Sequence, residues 1–246
     1  MLNAVRYSRY GPLNRYDLIK VLAITTMVID HIGHFFFPEM TTLRAVGRMA
    51  FPCFLFLVGW SGRWKVTSEL LIMACFFEWA RYMLGYGLAP LNILWSIIIV
   101  RWCMAVLERW QWLDDHAWGV FLLGVIWWYP ANIVLEYGSL GLLFALAGYY
   151  VRKYKNNART RELMVSVYGF YLLITLMFYR YAVYDIVLIF MEAMLLTAIF
   201  LRFSVTKIVL PSPAAAYMLM WTGRNSLYIY IVHFLIFQYL RRYIFN

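Results

Sequence analysis

The chain is short of charge. Only 14% of its 246 residues are Asp, Glu, Lys or Arg, against about 25% in an average soluble domain. So few charges cannot cover a soluble domain of this length, which excludes an ordinary water-facing surface. Cysteine is scarce too. Cys53, Cys75 and Cys103 lie inside apolar runs with no CxxC spacing and no flanking ligands. That argues against a zinc ribbon or a disulfide framework, and the three read as packing residues. No metal is expected. There are no internal repeats and no low-complexity tracts, which excludes a solenoid or a disordered tether. The N-terminus lacks a cleavable signal pattern, so the chain is read as mature from Met1.

What the chain has is hydrocarbon and rings. It is 64% hydrophobic and 20% aromatic, with 11 Trp and 20 Tyr. Rings with one polar edge suit lipid-facing and interfacial positions. The net charge of +10 is read as the positive-inside signal of a membrane protein, not as a nucleic-acid footprint. The expected fold is an all-α polytopic membrane bundle of about nine transmembrane helices, with residues 1–246 forming a single integral membrane domain.

A spanning helix needs about 20 mostly apolar residues. The expected spans are 17–37, 43–60, 67–85, 91–107, 117–134, 137–151, 163–180, 184–203 and 225–243, with 214–221 a half-helix or the start of the last. The connection Arg152–Glu162 carries Arg152, Lys153, Lys155, Arg159 and Arg161 and is expected in the cytoplasm. Arg6, Arg9, Arg15 and Lys20 then place the N-terminus inside as well. Two places fit this topology poorly. The 108–116 connection holds Glu108, Asp114 and Asp115 on the expected inner side, and Arg241 and Arg242 fall on the outer side.

Ionisable groups inside the spans are the chemical signal. A charge at mid-bilayer costs roughly 2.5–3.5 kcal/mol on insertion scales. Asp30, His31, His34, Arg48, Glu78, Arg81, Arg101, Glu192 and His233 must therefore pair or line a wet chamber. Gly33 allows a neighbouring helix to approach the turn that carries Asp30, His31 and His34. Asp30 and His31 point about 100° apart, so Asp30 is expected to bind an arginine instead of orienting His31. Arg44 and Arg48 open the next helix, and Asp30–Arg48 is the expected pair. Glu78 and Arg81, one turn apart, can equally form a simple ion pair. Arg101 is expected to snorkel or to neutralise Glu192. Asp30, His31, Arg48 and Glu78 are expected at similar depth, with His233 nearer the middle and Asn92 and Tyr137 close to the outer ends.

These residues carry a family resemblance. The stretch LIKVLAITTMVIDHIGHFFFP, followed by LRAVGRMAFPCFLFLVGW, resembles the TraX family, whose founding member is the N-acetylase of F-type conjugative pilin. The specific pieces are Asp30-His31 and Gly47-Arg48-x-Ala50-Phe51-Pro52. Weaker matches are Glu78, Asn92-Ile93-Leu94, Tyr137-Gly138 with Gly141, and SLYIYIVHFLIF with His233. Glu136 stands where Asp often precedes the Tyr-Gly, and Phe234 where Leu usually follows the closing His. The segments 108–116 and 152–224 match little.

The resemblance implies an acetyltransferase that uses acetyl-CoA as co-substrate and the amino terminus of a membrane-held pilin subunit as acceptor. His31 is the expected general base, since an unperturbed imidazole titrates near pH 6.5. Arg48 is expected to stabilise the oxyanion or to hold Asp30. His233 is expected as a second base or proton carrier. His34, Glu78, Asn92 and Tyr137 are expected around the acceptor. Arg101, Arg63 and Lys65, with the 152–161 connection, are expected at the coenzyme's nucleotide end. Rival readings are an O-acyltransferase for a surface glycan or glycolipid, a proton-coupled transporter or flippase, and a non-catalytic assembly factor.

Overall fold

A computed structural model describes residues 12–178 and 181–243. Arg6 and Arg9, expected on the inner face, lie outside the described residues. The described chain is helical, and no strand occurs in it; only two isolated bridges, Asn14 with Lys207 and Leu91 with Leu135, are present. The helices are α1 Arg15–Phe36, α2 Thr41–Gly47, α3 Ala50–Ser61, α4 Ser68–Met83, α5 Ile93–Arg109, α6 Trp112–Asp115, α7 Ala117–Ile126, α8 Trp128–Val134, α9 Leu140–Tyr154, α10 Ala158–Phe178, α11 Val183–Leu201, α12 Pro213–Arg224 and α13 Ser226–Tyr243. Each expected span coincides with helix. The span at 43–60 is broken at Arg48–Met49, and the one at 117–134 bends by 60° between α7 and α8. Residues 214–221 lie in a separate helix, α12.

Among the described residues, four stretches are long and apolar enough to cross a bilayer: Arg15–Phe36, Thr41–Ser61, Ala158–Phe178 and Val183–Leu201. The bent pair α7–α8 makes five. The expected count of about nine is not reached on length and hydropathy alone, because α4, α5 and α9 have only 16, 17 and 15 residues and α13, with 18, carries His233, Gln238, Arg241 and Arg242. The burial pattern nevertheless calls for lipid. Helix α11 buries Asp185 and Glu192 beside Ile189, Leu196 and Phe200, and exposes Val187, Phe190, Met191, Met194 and Leu195. A helix apolar on its outer face as well, with its carboxyls turned inward, is not what water selects. On α4, Ile72, Phe76, Trp79 and Met83 make a similar exposed stripe.

The chain groups into two compact units. The first comprises Met1–Cys53 with Phe203–Asn246, the second Phe54–Arg202. In the first, α1 packs against α2, α12 and α13. Its start is fixed by a capping box, in which the Asn14 side chain accepts from the Asp17 N–H at 3.0 Å and the Asp17 carboxylate accepts from the Asn14 N–H at 3.3 Å. The buried Asp17 also takes Arg224 at 3.1 Å, tying the head of α1 to the end of α12. Helices α1 and α13 run parallel. His31 meets His233, Phe35 meets Phe234, and Phe36 meets Phe237 in ascending order along both.

In the second unit α9 is the core, with an unbroken buried run from Leu143 to Val151 surrounded by α5, α7, α10 and α11. It crosses α3 backbone to backbone. A Cβ on Gly59 would fall 1.8 Å from the Ala145 carbonyl oxygen, and one on Gly148 2.1 Å from that of Phe56. Without a water-driven force between helices in lipid, such close approach supplies the attraction.

Candidate active site

The centre of the first unit is a pair of imidazoles. His31 Nδ1 lies 2.7 Å from His233 Nε2, and His233 Nδ1 lies 2.6 Å from the Ile229 carbonyl oxygen. The ring planes are within 20° and the centroids 4.9 Å apart, the spacing of two rings joined edge to edge. A carbonyl can only accept, so His233 Nδ1 carries the hydrogen. With His233 neutral, its Nε2 is an acceptor and His31 Nδ1 must donate to it. The remaining nitrogen, His31 Nε2, then holds a lone pair. The backbone at Ile229 thus fixes, through one intervening ring, which atom of His31 is basic.

Both rings are partly buried and sit among aromatics. Phe234 stands edge-on to His31 at 5.3 Å and Phe237 edge-on to His233 at 5.5 Å, with Phe35 and Tyr230 completing the surround. These residues follow from sequence position. His233, Tyr230, Phe234 and Phe237 share one face of α13, and His31 and Phe35 one face of α1. Such a wall excludes water from the pair without competing for its lone pair.

Asp30 faces the α1–α2 contact. Gly47 is seated directly on it, since a Cβ there would fall 2.2 Å from that of Asp30. Gly33 plays the part expected of it, with its own missing Cβ 2.8 Å from Leu43 Cβ. The ion pair of Asp30 is made by Arg44, at 3.1 Å, and not by the expected Arg48. The reason is helical phase. Arg44 lies one turn before Gly47 and on its face, whereas Arg48 follows Gly47 by about 100° and ends α2, its N–H bonding the Ala45 and Val46 carbonyls. The Arg48 side chain is buried. Only one guanidinium nitrogen of Arg44 is recorded in the pair, so the contact is single-toothed. His34 does not join the imidazole pair. It is exposed and packs on Phe35 at 4.9 Å between centroids.

Glu78, Asn92 and Tyr137 belong to the second unit, where they form a different kind of cluster. Asn92 is 1% exposed and Glu78 8%. Glu78 Oε2 accepts from the Asn92 side chain at 2.6 Å and from its backbone at 3.0 Å, while Oε1 takes Arg81 at 3.1 Å. The Asn92 side-chain oxygen caps α5 by accepting from Leu94 N–H. Leu91 and Glu136 exchange backbone bonds with the 134–136 segment and Leu91 respectively, which holds the turn bearing Tyr137 alongside. Tyr137 and Gly138 both have positive φ, and a Cβ on Gly138 would strike the Trp128 carbonyl. The Tyr-Gly motif is therefore explained by backbone geometry.

The basic residues of the second unit also gather. Arg101 Nη1 donates to the Lys65 carbonyl at 3.2 Å, beside exposed Arg63 and Lys65. Arg152 packs its guanidinium on Gly62. Arg101 thus snorkels to the 62–67 loop and does not neutralise Glu192, whose buried carboxyl has no ion-pair partner among the described residues. The acids that fitted the topology poorly are accounted for here. Glu108 accepts from Trp64 at 2.5 Å, and Asp114 takes Lys153 at 2.5 Å with Tyr149 and Tyr154. They sit beside the positive segment that offsets them. Arg241 and Arg242 occupy the last turn of α13, where the helix dipole favours cations. Cys75, expected to pack, is exposed on α4, while Cys53 is buried. No group of three or more His, Cys, Asp or Glu is arranged to hold a metal among the described residues.

Sequence reasoning named Arg44 but passed it over as the partner of Asp30, although its position one turn before Gly47 signals it. It also missed the Asp114–Lys153 cluster, which no local pattern announces.

Comparison with known proteins completes the description. A family model described as "TraX protein" matches residues 15–241. An uncharacterized protein of Rickettsia prowazekii (strain Madrid E) is 27% identical over 237 residues, covering 92% of each chain. No solved structure matches.

Proposed function

Because the chain belongs to the TraX family, we propose that it is a membrane-embedded acetyltransferase that moves an acetyl group from acetyl-CoA to the amino terminus of a membrane-held conjugative pilin subunit. The observation that carries this reading is the unshared lone pair on His31 Nε2, oriented through His233 by the Ile229 carbonyl. A base held in one tautomer and walled by rings is what proton removal from an attacking amine requires.

Acetyl-CoA supplies an activated thioester carbonyl when bound. The neutral amine forms the N–C bond, the C–S bond breaks, and the proton lost by nitrogen passes to His31 Nε2. His233 shares the resulting charge through the bond at His31 Nδ1. The proton then leaves His31 with the departing thiolate, so the pair ends neutral. Arg48, buried in the same unit, offers the positive charge that steadies the oxyanion. Arg44 holds the Asp30 side chain in place. Arg63, Lys65, Arg101 and Arg152, gathered at the 62–67 loop, suit the phosphates of the coenzyme.

The finer topology belongs to this reading. Helices α4, α5, α9 and α13 join the five apolar crossings to make nine. The parallel packing of α1 and α13 supports an odd count if both cross. The N-terminus is then cytoplasmic in a bacterial inner membrane. The test is intact-mass analysis of pilin co-expressed with and without the protein. The reading expects one acetyl group on the amine only when the protein is present; unmodified pilin in both samples contradicts it.

A further inference from the structure

Beyond the histidine pair, α13 holds one more buried polar group within the first unit. Gln238 is only 6% exposed, and its side-chain oxygen has no hydrogen-bond partner among the described residues. A buried amide oxygen without a donor destabilises the fold, so packing does not explain it. Ile231, two turns earlier on the same side of α13, is 4% exposed and shows that an aliphatic side chain suits that side. A buried group left open in this way is where a ligand is expected.

The place of Gln238 says which ligand. It follows Phe234 by one turn and Phe237 by one residue. Phe234 stands edge-on to His31 and Phe237 edge-on to His233, at 5.3 and 5.5 Å between centroids. A long side chain on a helix leans back over the turn before it, and for Gln238 that is the turn of Phe234, the ring on His31. From His233 to Gln238 the helix climbs about 7.5 Å, the reach of about two residues of extended chain. In the topology of the proposed function that step leads outward, away from the side on which the cytosolic coenzyme enters and toward the acceptor. A side-chain amide both donates and accepts hydrogen bonds, as a peptide group does.

We propose that Gln238 is a positioning residue for the acceptor: its side-chain oxygen takes a backbone N–H from the acceptor's first few residues and so holds the terminal amine at His31 Nε2. This rests on the reading of the chain as an acetyltransferase for a peptide amine. The bond favours a peptide acceptor, since an amine without a peptide group gains nothing from it.

The test is calorimetric titration of the full chain in nanodiscs with a synthetic peptide of the pilin amino terminus. In three analogues an ester oxygen replaces the N–H of the first, second or third peptide link in turn. The wild-type chain should bind one of these esters about five- to tenfold more weakly than the peptide, the worth of one neutral hydrogen bond. Gln238→Leu should bind the peptide more weakly by the same factor and no longer distinguish it from that ester. A variant that keeps the ester penalty overturns the proposal, because a merely structural glutamine would leave that penalty in place. Equal binding of the peptide and all three esters by the wild-type chain overturns it too, with no variant to fold. So does the absence of peptide binding. Weaker binding of acetyl-CoA in Gln238→Leu, with the peptide unaffected, would overturn it and place the amide on the coenzyme's arm. Acetylation of the peptide is read separately. A peptide bound with the expected ester pattern but never acetylated upholds the role of Gln238 and contradicts the transfer. Acetylation without any ester penalty does the reverse.

Discussion

The His31–His233 pair and the Glu78–Asn92 clamp both bring polar side chains together in a chain built for lipid, yet they end in opposite states. At the clamp both carboxylate oxygens of Glu78 are engaged, by Asn92 and Arg81, and Asn92 spends its own oxygen on the α5 cap. At the pair each bond sets up the next, which leaves the lone pair of His31 on Nε2, where no bond is made among the described residues. Burying a polar group is costly without partners, so a saturated cluster reads as structural. A group that keeps capacity while walled by rings is available for chemistry. Intramembrane charge alone does not separate the two, whereas counting donors and acceptors does.

The difference can be broken by mutation. His31→Ala should lower pilin acetylation by about 10²–10⁴-fold, the usual contribution of a general base, with membrane insertion unchanged; acetylation near the wild-type level by mass spectrometry would remove His31 from the reaction. His233→Ala should cost less, about 10–100-fold, because it withdraws one hydrogen bond to a developing charge and leaves the base present. Asn92→Ala should behave in the opposite way. It should destabilise the chain by about 1–3 kcal/mol, as a buried carboxylate loses a donor, and this should appear as a lower melting temperature in detergent with turnover intact in the folded fraction. If it abolishes turnover without lowering the melting temperature, the clamp belongs to the site.

Finer substitutions sharpen the contrast. Arg44→Lys should keep activity within a few-fold of wild type, since a single-toothed contact does not need the planar fork, whereas Arg44→Ala should impair it. The smallest effect is expected at Asp114. Burial pushes its carboxyl up, but bonds from Lys153, Tyr154 and Tyr149 outweigh this and hold it below its ordinary 3.8. A carboxyl held low in the fold stabilises it above the unfolded value and ceases to as pH falls through the folded one. Asp114→Asn should therefore melt slightly below wild type at neutral pH, and the gap should close below about pH 4. The effect should be slight because Asp114 and Lys153 are 31% and 43% exposed. A gap that widens in acid would contradict the assignment.

Much of this was legible in the residues. Hydropathy located the helices, and Gly33 announced the close approach of α1 and α2, to which Gly47 contributes as well. The intramembrane His31 and His233 stood out by cost alone, and family resemblance joined them. The partner of Asp30 was misplaced by one turn because the break at Arg48–Met49 leaves no mark in an apolar run. Glu78 and Asn92 looked like acceptor-binding residues for want of any sign that they bond each other. That bond joins residues 14 apart across a turn, and periodicity does not report such pairs. The acids at 108–116 contradicted a charge rule that counts residues and ignores who sits beside them.

The central claim concerns one nitrogen, and the chain has only four histidines to assign. Nitrogen-15 NMR of histidine-labelled protein in bilayers at neutral pH reads each ring atom directly, with His31→Ala and His233→Ala giving the assignments. The account predicts a protonated Nδ1 and an unprotonated Nε2 on His31, with the Nε2 of His233 also bare. A hydrogen on His31 Nε2 in the resting protein would contradict it.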